Sequence, residues 1–219
     1  MNPSEIWSFP LDDGSNGLLR VILRVKDLHL ARLEPMLLLR EDSVLVQITK
    51  ISALTEKAFD QENLLLNGVL ISALRNAKKL GFKKVAEGQV SIENIEFPGW
   101  FMNGRYHPVF CRGEVQYEIS SHTFEFIHEN WRILLLGSSG IDRLAGRISK
   151  YNEYLEGIKF GNLKKGWVDD VRYNAKRDEI LKAIGVSFDE PYYKVLAEKL
   201  GEERLNIYKQ AITPAPKKD

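Results

Sequence analysis

The pattern that most constrains the fold is an alternation of apolar and polar side chains over residues 18 to 26. In an extended chain, one face holds Val21, Leu23 and Val25, and the other holds Arg20, Ile22, Arg24 and Lys26. A period of two predicts a β-strand with one face in solvent. Two further apolar runs, 36–39 and 44–48, flank a charged turn, so we expect a short antiparallel sheet in the N-terminal third.

A different period begins at Thr55, where apolar side chains recur at the spacing of a helix. The wide apolar stripe predicts a long, mostly buried helix that runs to residue 80. Gly81 suits its C-terminal cap, and the basic residues of its last turns complement the negative end of the helix dipole. These basic residues are Arg75, Lys78 and Lys79.

Residues 83 to 120 are typical of strands, and Asn103-Gly104 is their clearest turn signal. An Asn-Gly pair favours a two-residue type I′ hairpin turn. In that register Phe101 faces Tyr106 across the two strands. We interpret the aromatic residues of this hairpin as cross-strand packing, with stacking of a flat ligand as the alternative.

The next part of the chain predicts a buried strand over 131–136 and then a helix to about residue 156. Glycines and lysines are frequent in 157–166, and this composition indicates a domain boundary. We therefore expect an α+β domain over residues 1–160.

The C-terminal region, 167–212, is expected to be a small helical subdomain. One helix is predicted over 170–184 and ends at Gly185, and a second begins after a capping-box pattern at 187–190. The tail, 213–219, is expected to be disordered. The predicted fold class is α+β, with an antiparallel or mixed sheet, a long buried helix and a helical C-terminal piece.

The charge of the whole chain is close to neutral, because 31 Lys and Arg residues balance 30 Asp and Glu residues. This balance excludes a nonspecific polyanion binder, which carries a large basic excess. The charge is nevertheless uneven, since five basic residues and no acidic residue lie between Asn63 and Ala86. A near-neutral net charge therefore does not exclude a local basic surface.

Cys111 is the single cysteine, so the chain can form neither an internal disulfide nor a cysteine-based metal site. The N-terminal residues lack the pattern of a secretory signal, and no run approaches the roughly 20 apolar residues of a membrane-spanning helix. We expect a cytoplasmic protein with no membrane partner.

Glu114 and Gln116 form the first candidate site, because a strand over 111–119 would point both side chains to one face. Such a pair on a central strand, followed by a strand and a helix, resembles the metal site of the PD-(D/E)XK nucleases. That resemblance implies catalytic roles for Glu114, Gln116 and an acidic residue on the preceding strand, Glu96 or Glu93. It also implies that Glu114 and Glu96 bind Mg²⁺ for phosphodiester hydrolysis. The alternative is an amphipathic strand with one solvated face.

The second candidate site lies in residues 192–212, whose spacing resembles a helix-turn-helix motif. Ala197 has the place of the small residue where two helices cross, and Gly201 has the place of the turn residue. The second helix would present side chains that can reach bases or phosphates. These are Arg204, Asn206, Tyr208 and Lys209. The alternative is a helical hairpin that caps the main domain or mediates oligomerisation.

Both candidate sites indicate a protein that interacts with nucleic acid, with duplex DNA as the partner and nuclease activity as a further hypothesis. The alternative function is a non-catalytic assembly or adaptor protein that contacts a protein partner, or a second copy, through residues 190–212. A third hypothesis is a phosphorylated small molecule bound at the Gly-Ser-Ser-Gly turn, 137–140.

Overall fold

The computed structural model of the protein describes residues 1–10, 16–28, 43–49, 53–72, 81–103, 107–131, 170–174 and 176–213. Within these residues, eight strands form two antiparallel sheets. The strands are β1 (Glu5–Pro10), β2 (Asn16–Arg24), β3 (Ser43–Thr49), β4 (Leu64–Ser72), β5 (Lys83–Glu87), β6 (Gly99–Asn103), β7 (Pro108–Arg112) and β8 (Val115–Glu118). Three α-helices accompany them: α1 (Ser121–Trp131), α2 (Arg177–Ile184) and α3 (Tyr192–Ile212).

The larger sheet has the strand order β4-β3-β2-β1-β5, and the smaller has the order β6-β7-β8. All pairs of neighbouring strands are antiparallel. The α+β class is therefore confirmed, as are the strands predicted over 18–26 and 44–48. The solvent-facing side predicted for 18–26 is wrong, because Ile22 is fully buried and a register shift between Val21 and Leu23 places these two side chains in different clusters. The 18–26 strand ends earlier than predicted, because Val25–Leu28 turns into a 3₁₀ helix.

The long helix predicted over 55–80 is wrong where the structure describes it. Residues 64–72 form strand β4, which pairs with the fully buried strand β3. The nearly continuous apolar run fits a buried strand as well as a buried helix, so hydrophobic period alone does not separate them. Asn67-Gly68 interrupts the run at a β-bulge, where Gly68 has a positive φ of 72°. A helix from 55 would also carry this glycine in its interior, which is unfavourable.

The hairpin predicted at Asn103-Gly104 joins β6 and β7, but its register differs from the prediction. Asn103 pairs with Pro108, and Phe101 pairs with Phe110 rather than with Tyr106. The connection therefore has four residues, and the aromatic packing across the strands is between Phe101 and Phe110, with ring centroids 5.2 Å apart. The prediction located the hairpin but not its turn, because Asn103 is a paired residue of β6, and the register differs by four residues.

The described helices agree only in part with the helices predicted from the sequence. Trp131 is the last residue of α1, so the strand predicted over 131–136 does not begin there. Helix α2 ends at Gly185, as predicted, and this glycine is in the left-handed conformation. The helix begins at Arg177 rather than at 170, and Val171–Tyr173 forms a separate 3₁₀ helix. The capping box predicted at 187–190 is not formed: α3 begins after Pro191 without a side-chain cap, and the Ser187 hydroxyl bonds Asp189 instead.

The described residues form three hydrophobic clusters. The first lies between one face of the larger sheet, the smaller sheet and α3, and it includes Leu23, Leu45, Trp100, Val115 and Leu196. The second covers the opposite face of the larger sheet, and the third packs α1 and α2 on the outer face of the smaller sheet. Helix α3 therefore shares its core with both sheets.

Several predictions fall on residues outside the described ranges. These are the strand at 36–39, the strand over 131–136 apart from its first residue, the helix that follows it to about residue 156, the turn at 137–140, the boundary at 157–166 and the tail beyond Thr213. The division into domains stays a prediction. Among the helices of the described residues, none has the length and apolar content to cross a bilayer.

Candidate functional site

The turn between β7 and β8 positions the first candidate residue, Glu114. Gly113 has a positive φ of 60° at the first of the two turn positions, which is the pattern of a type II′ hairpin turn. A Cβ atom on Gly113 would lie 2.5 Å from the Tyr192 hydroxyl and 2.9 Å from the Phe97 ring. Only glycine therefore allows helix α3 to approach this turn so closely.

The Glu114 carboxylate is buried and accepts hydrogen bonds from two residues of α3. Arg204 donates from both Nε, at 2.8 Å, and Nη2, and the Tyr208 hydroxyl donates to Oε1 at 2.9 Å. A bidentate guanidinium-carboxylate pair is among the strongest hydrogen-bonded ion pairs in proteins. Burial opposes the charge of Arg204, but the bond to Glu114 outweighs it and raises the pKa of the guanidinium.

Tyr192 completes the hydrogen bonding around Glu114. Its hydroxyl accepts from the Glu114 backbone N–H at 3.1 Å and lies 3.3 Å from the Tyr208 hydroxyl. Since Tyr208 donates to Glu114, Tyr192 donates to Tyr208, and each hydroxyl proton has one acceptor. Burial raises the pKa of both tyrosines, so both stay protonated.

Glu96 and Arg112 form a second pair beside the first. Arg112 is fully buried and donates from Nε to Glu96 Oε1 at 2.9 Å and from Nη2 to Oε2 at 2.5 Å. Nη2 also donates to the Glu190 carbonyl at 2.9 Å, and the guanidinium carbon lies 4.5 Å from the centre of the Phe188 ring. We call Glu96, Arg112, Glu114, Tyr192, Arg204 and Tyr208 the arginine-carboxylate cluster.

The cluster differs from the predicted nuclease site in its geometry. The strand predicted over 111–119 breaks at the turn 113–114, so Glu114 points inward while Gln116 is exposed on β8. The prediction that these two side chains share a strand face is wrong for this reason. Glu96 and Glu114 each bond a different arginine, and within the described residues no group of three or more His, Cys, Asp or Glu side chains is placed to hold a metal ion. Nuclease activity with Mg²⁺ stays a prediction.

The predicted DNA-contacting residues of α3 fall into two groups. Gly201 interrupts the helix with φ 86° and ψ 164°, so the break lies at the predicted turn residue. Tyr208 is buried and Arg204 is half-buried, and both bond Glu114, whereas Asn206 and Lys209 are exposed. Two of the four side chains thus face the protein interior, and binding of duplex DNA stays a prediction.

Comparison with protein-family models found no match. Comparisons with curated proteins and with solved structures found no match either.

A second candidate site is strand β5, at one end of the larger sheet. In the part of the chain that the structure describes, β5 pairs only with β1, and none of its five residues is buried. Val85 is 46% exposed and lies at a register shift between the two strands. We call residues 83–87 the β5 edge. The sequence predicted strands here, but an edge position depends on the strand order, which the sequence did not indicate.

Residues from elsewhere in the chain contact the outer edges of two other strands, β4 and β6. Arg172 donates from Nη1 to the Asn67 carbonyl and from Nη2 to the Gly68 carbonyl at 2.9 Å, and both carbonyls belong to β4. The Gly99 N–H of β6 donates to Asp170 at 3.1 Å. Asp170 and Arg172 therefore occupy part of the outer edges of β4 and β6. Among the described strands, β5 and β8 each pair on one side only.

Proposed function

We propose that the protein is a non-catalytic interaction module that binds another polypeptide by strand addition at the β5 edge. The observation that carries this proposal is the accessibility of β5, whose residues remain unburied while β1 pairs with its other side. An edge strand offers a row of backbone N–H and C=O groups that an extended peptide can pair with. This function belongs to the assembly or adaptor class.

The arginine-carboxylate cluster supports a structural role for the carboxylates that the sequence proposed as catalytic. The two guanidinium groups neutralise the two carboxylates, and Tyr208 occupies a further acceptor position on Glu114. Burial also raises the pKa of the Cys111 thiol to about 12, so this cysteine is not a nucleophile near neutral pH. The hydrogen bonds of the cluster hold α3 against the hairpin turn 113–114.

The contact surface in this proposal differs from residues 190–212, which the sequence suggested for a protein partner. Most apolar side chains of α3 are buried against both sheets, including Val195, Leu196 and Leu205. A deletion of α3 would remove part of the core, so it would not report on a contact surface. Point substitutions on the β5 edge are the appropriate test.

The experiment begins with random peptides displayed on phage and selected on the wild-type protein. Selected peptides are expected to protect the backbone amides of 83–87 from hydrogen exchange. Val85→Asp should weaken their binding by about tenfold, because it places a charge at the centre of the pairing edge. Leu54→Asp is the matched control, since Leu54 has the same 46% exposure but lies outside the sheet, and it should leave binding unchanged.

Peptides that protect other amides, or that lose equal affinity in the two variants, would contradict strand addition at β5. Duplex DNA is the comparison ligand. Binding of a duplex that falls steeply with salt and is equal in both variants would support the nucleic-acid hypothesis instead.

A further inference from the structure

Arg20 differs from the other arginines in the described part of the chain because it forms no ion pair with a carboxylate. Each of the other five pairs with an aspartate or a glutamate, and these five are Arg24, Arg112, Arg172, Arg177 and Arg204. The Arg20 guanidinium donates to neutral oxygens instead. Nε and Nη2 donate to Gln47 Oε1 at 3.1 and 2.5 Å, and Nη1 donates to the Gln89 carbonyl at 2.9 Å.

The surroundings of Arg20 make the missing counter-ion unfavourable. The side chain is partly buried, and its guanidinium carbon lies 4.9 Å from the centre of the Phe59 ring. Burial lowers the pKa of Arg20, and the negative charge of Asp60 offsets burial only in part, since Asp60 is exposed and does not form an ion pair with Arg20. A positive charge without a contacting counter-ion therefore lies beside an aromatic ring.

A buried glutamine holds the guanidinium in position. Gln47 is only 1% exposed and is the register partner of Arg20 on β3. Its Nε2 donates to Asn67 Oδ1 at 2.8 Å and to the Asn94 carbonyl at 3.4 Å, so its Oε1 is directed at Arg20. A guanidinium has five N–H groups, and three of them are used in these hydrogen bonds. Within the described residues, one N–H on Nη1 and one on Nη2 remain for a ligand.

We infer that Arg20 binds the carboxylate group of a small organic acid, whose apolar part contacts the Phe59 ring. A carboxylate carries one negative charge, which matches the single positive charge of Arg20, and its two oxygens match the planar donors of a guanidinium. Asp60 repels a second negative charge, so a doubly charged phosphate fits this site less well. The site is separate from the β5 edge, and the inference does not depend on the proposed function.

The test titrates the full-length protein with benzoate, acetate, benzamide and inorganic phosphate at constant ionic strength and mildly alkaline pH, where phosphate is doubly charged. Benzamide is the neutral analogue of benzoate. Calorimetry measures binding, and thermal unfolding is a second measurement, because a ligand of the folded state raises the unfolding temperature. The variants are Arg20→Gln, Arg20→Lys and, as a matched control, Arg24→Gln, which changes an arginine of the same strand that already pairs with Asp27.

Benzoate is expected to bind with a Kd of about 1 mM, and acetate more weakly because it lacks a ring to contact Phe59. Benzamide and phosphate should bind at least about tenfold more weakly than benzoate. Arg20→Gln should weaken benzoate by about tenfold, and Arg20→Lys by about fivefold, because lysine keeps the charge but loses the planar pair of donors. Arg24→Gln should change the affinity by less than about twofold.

Other outcomes overturn the inference. Benzamide binding as tight as that of benzoate would show that the ring alone is recognised, and tighter binding of phosphate would refute the carboxylate. Equal losses in Arg20→Gln and Arg24→Gln would place the anion elsewhere on the protein. If Arg20→Gln does not fold, Arg20→Lys decides the question, because wild-type affinity in that variant would contradict recognition by the guanidinium. No binding of benzoate or acetate at about 50 mM would remove the site altogether.

Discussion

At the scale of single residues, the charged side chains of the cluster pair with one another inside the protein rather than with solvent. Among the described residues, Nη1 of Arg112 is buried without a hydrogen-bond partner. Glu96 and Glu114 were good candidates for chemistry because they are carboxylates near each other on predicted strands. The sequence could not show that Arg112 and Arg204 would reach them, since Arg204 lies 90 positions from Glu114. Pairing at that separation depends on the fold.

The hydroxyl of Tyr208 provides a test at this scale. Tyr208→Phe removes the bond to Glu114 and leaves Tyr192 without its acceptor, so we expect a loss of about 1–2 kcal/mol in the free energy of unfolding. Urea denaturation measures the change. Tyr193→Phe, on the neighbouring and partly exposed residue, should cost less than about 0.5 kcal/mol. Similar losses in the two variants would argue against a hydrogen-bonded Tyr208.

Glu5 provides a prediction about pH. Burial alone would raise its pKa, but hydrogen bonds from Asn2, Lys84 and Trp7 outweigh burial and lower it below 4.5. A carboxylate with a lowered pKa in the folded state stabilises the fold above its unfolded pKa, and this stabilisation is lost as the pH falls. The free energy of unfolding should therefore decline below about pH 4.5, and less steeply in Glu5→Gln. Equal slopes in the acid range for both proteins would refute this role.

At the scale of elements, most strands were predictable and their pairing was not. The alternation in 18–26 identified β2, and Asn103-Gly104 located the hairpin between β6 and β7. The helix predicted over 55–80 failed because a run of apolar residues carries no period once both strand faces are buried. The glycine at 68 was the available signal, since a glycine inside an apolar strand often marks a bulge.

The two glycines that end or break the C-terminal helices give a matched comparison. A Cβ atom on Gly185 or on Gly201 meets no atom within 4 Å, so backbone conformation alone decides the cost of alanine. Gly201 has φ 86° and ψ 164°, a region that is nearly restricted to glycine, whereas Gly185 is in the ordinary left-handed region.

We therefore expect Gly201→Ala to lower the free energy of unfolding by about 2 kcal/mol. Gly185→Ala should lower it by about 1 kcal/mol. Thermal or urea denaturation of the two variants measures both values. The reverse order would show that α3 is not broken at Gly201.

At the scale of the whole molecule, α3 is held to the two sheets by an apolar face and by the arginine-carboxylate cluster. The sequence predicted a helical C-terminal piece but not its position against the hairpin turn, because that position depends on a close approach at Gly113. The same contacts bring Glu96 and Glu114, two of the predicted catalytic residues, into one cluster with Arg204 and Tyr208, whereas Gln116, Asn206 and Lys209 stay exposed. Within the described residues, the β5 edge is exposed, and it is the surface that we propose for a partner.

The most direct test of this account is a double-mutant cycle of Glu114→Ala and Arg204→Ala, measured by urea denaturation. Each single change leaves a buried or half-buried charge without its partner, so each should cost about 3 kcal/mol, with a coupling of about 2 kcal/mol in the double variant. Additive effects would contradict a structural cluster. So would a Glu114→Ala variant more stable than the wild type, which is the behaviour of a carboxylate kept for function at the expense of stability.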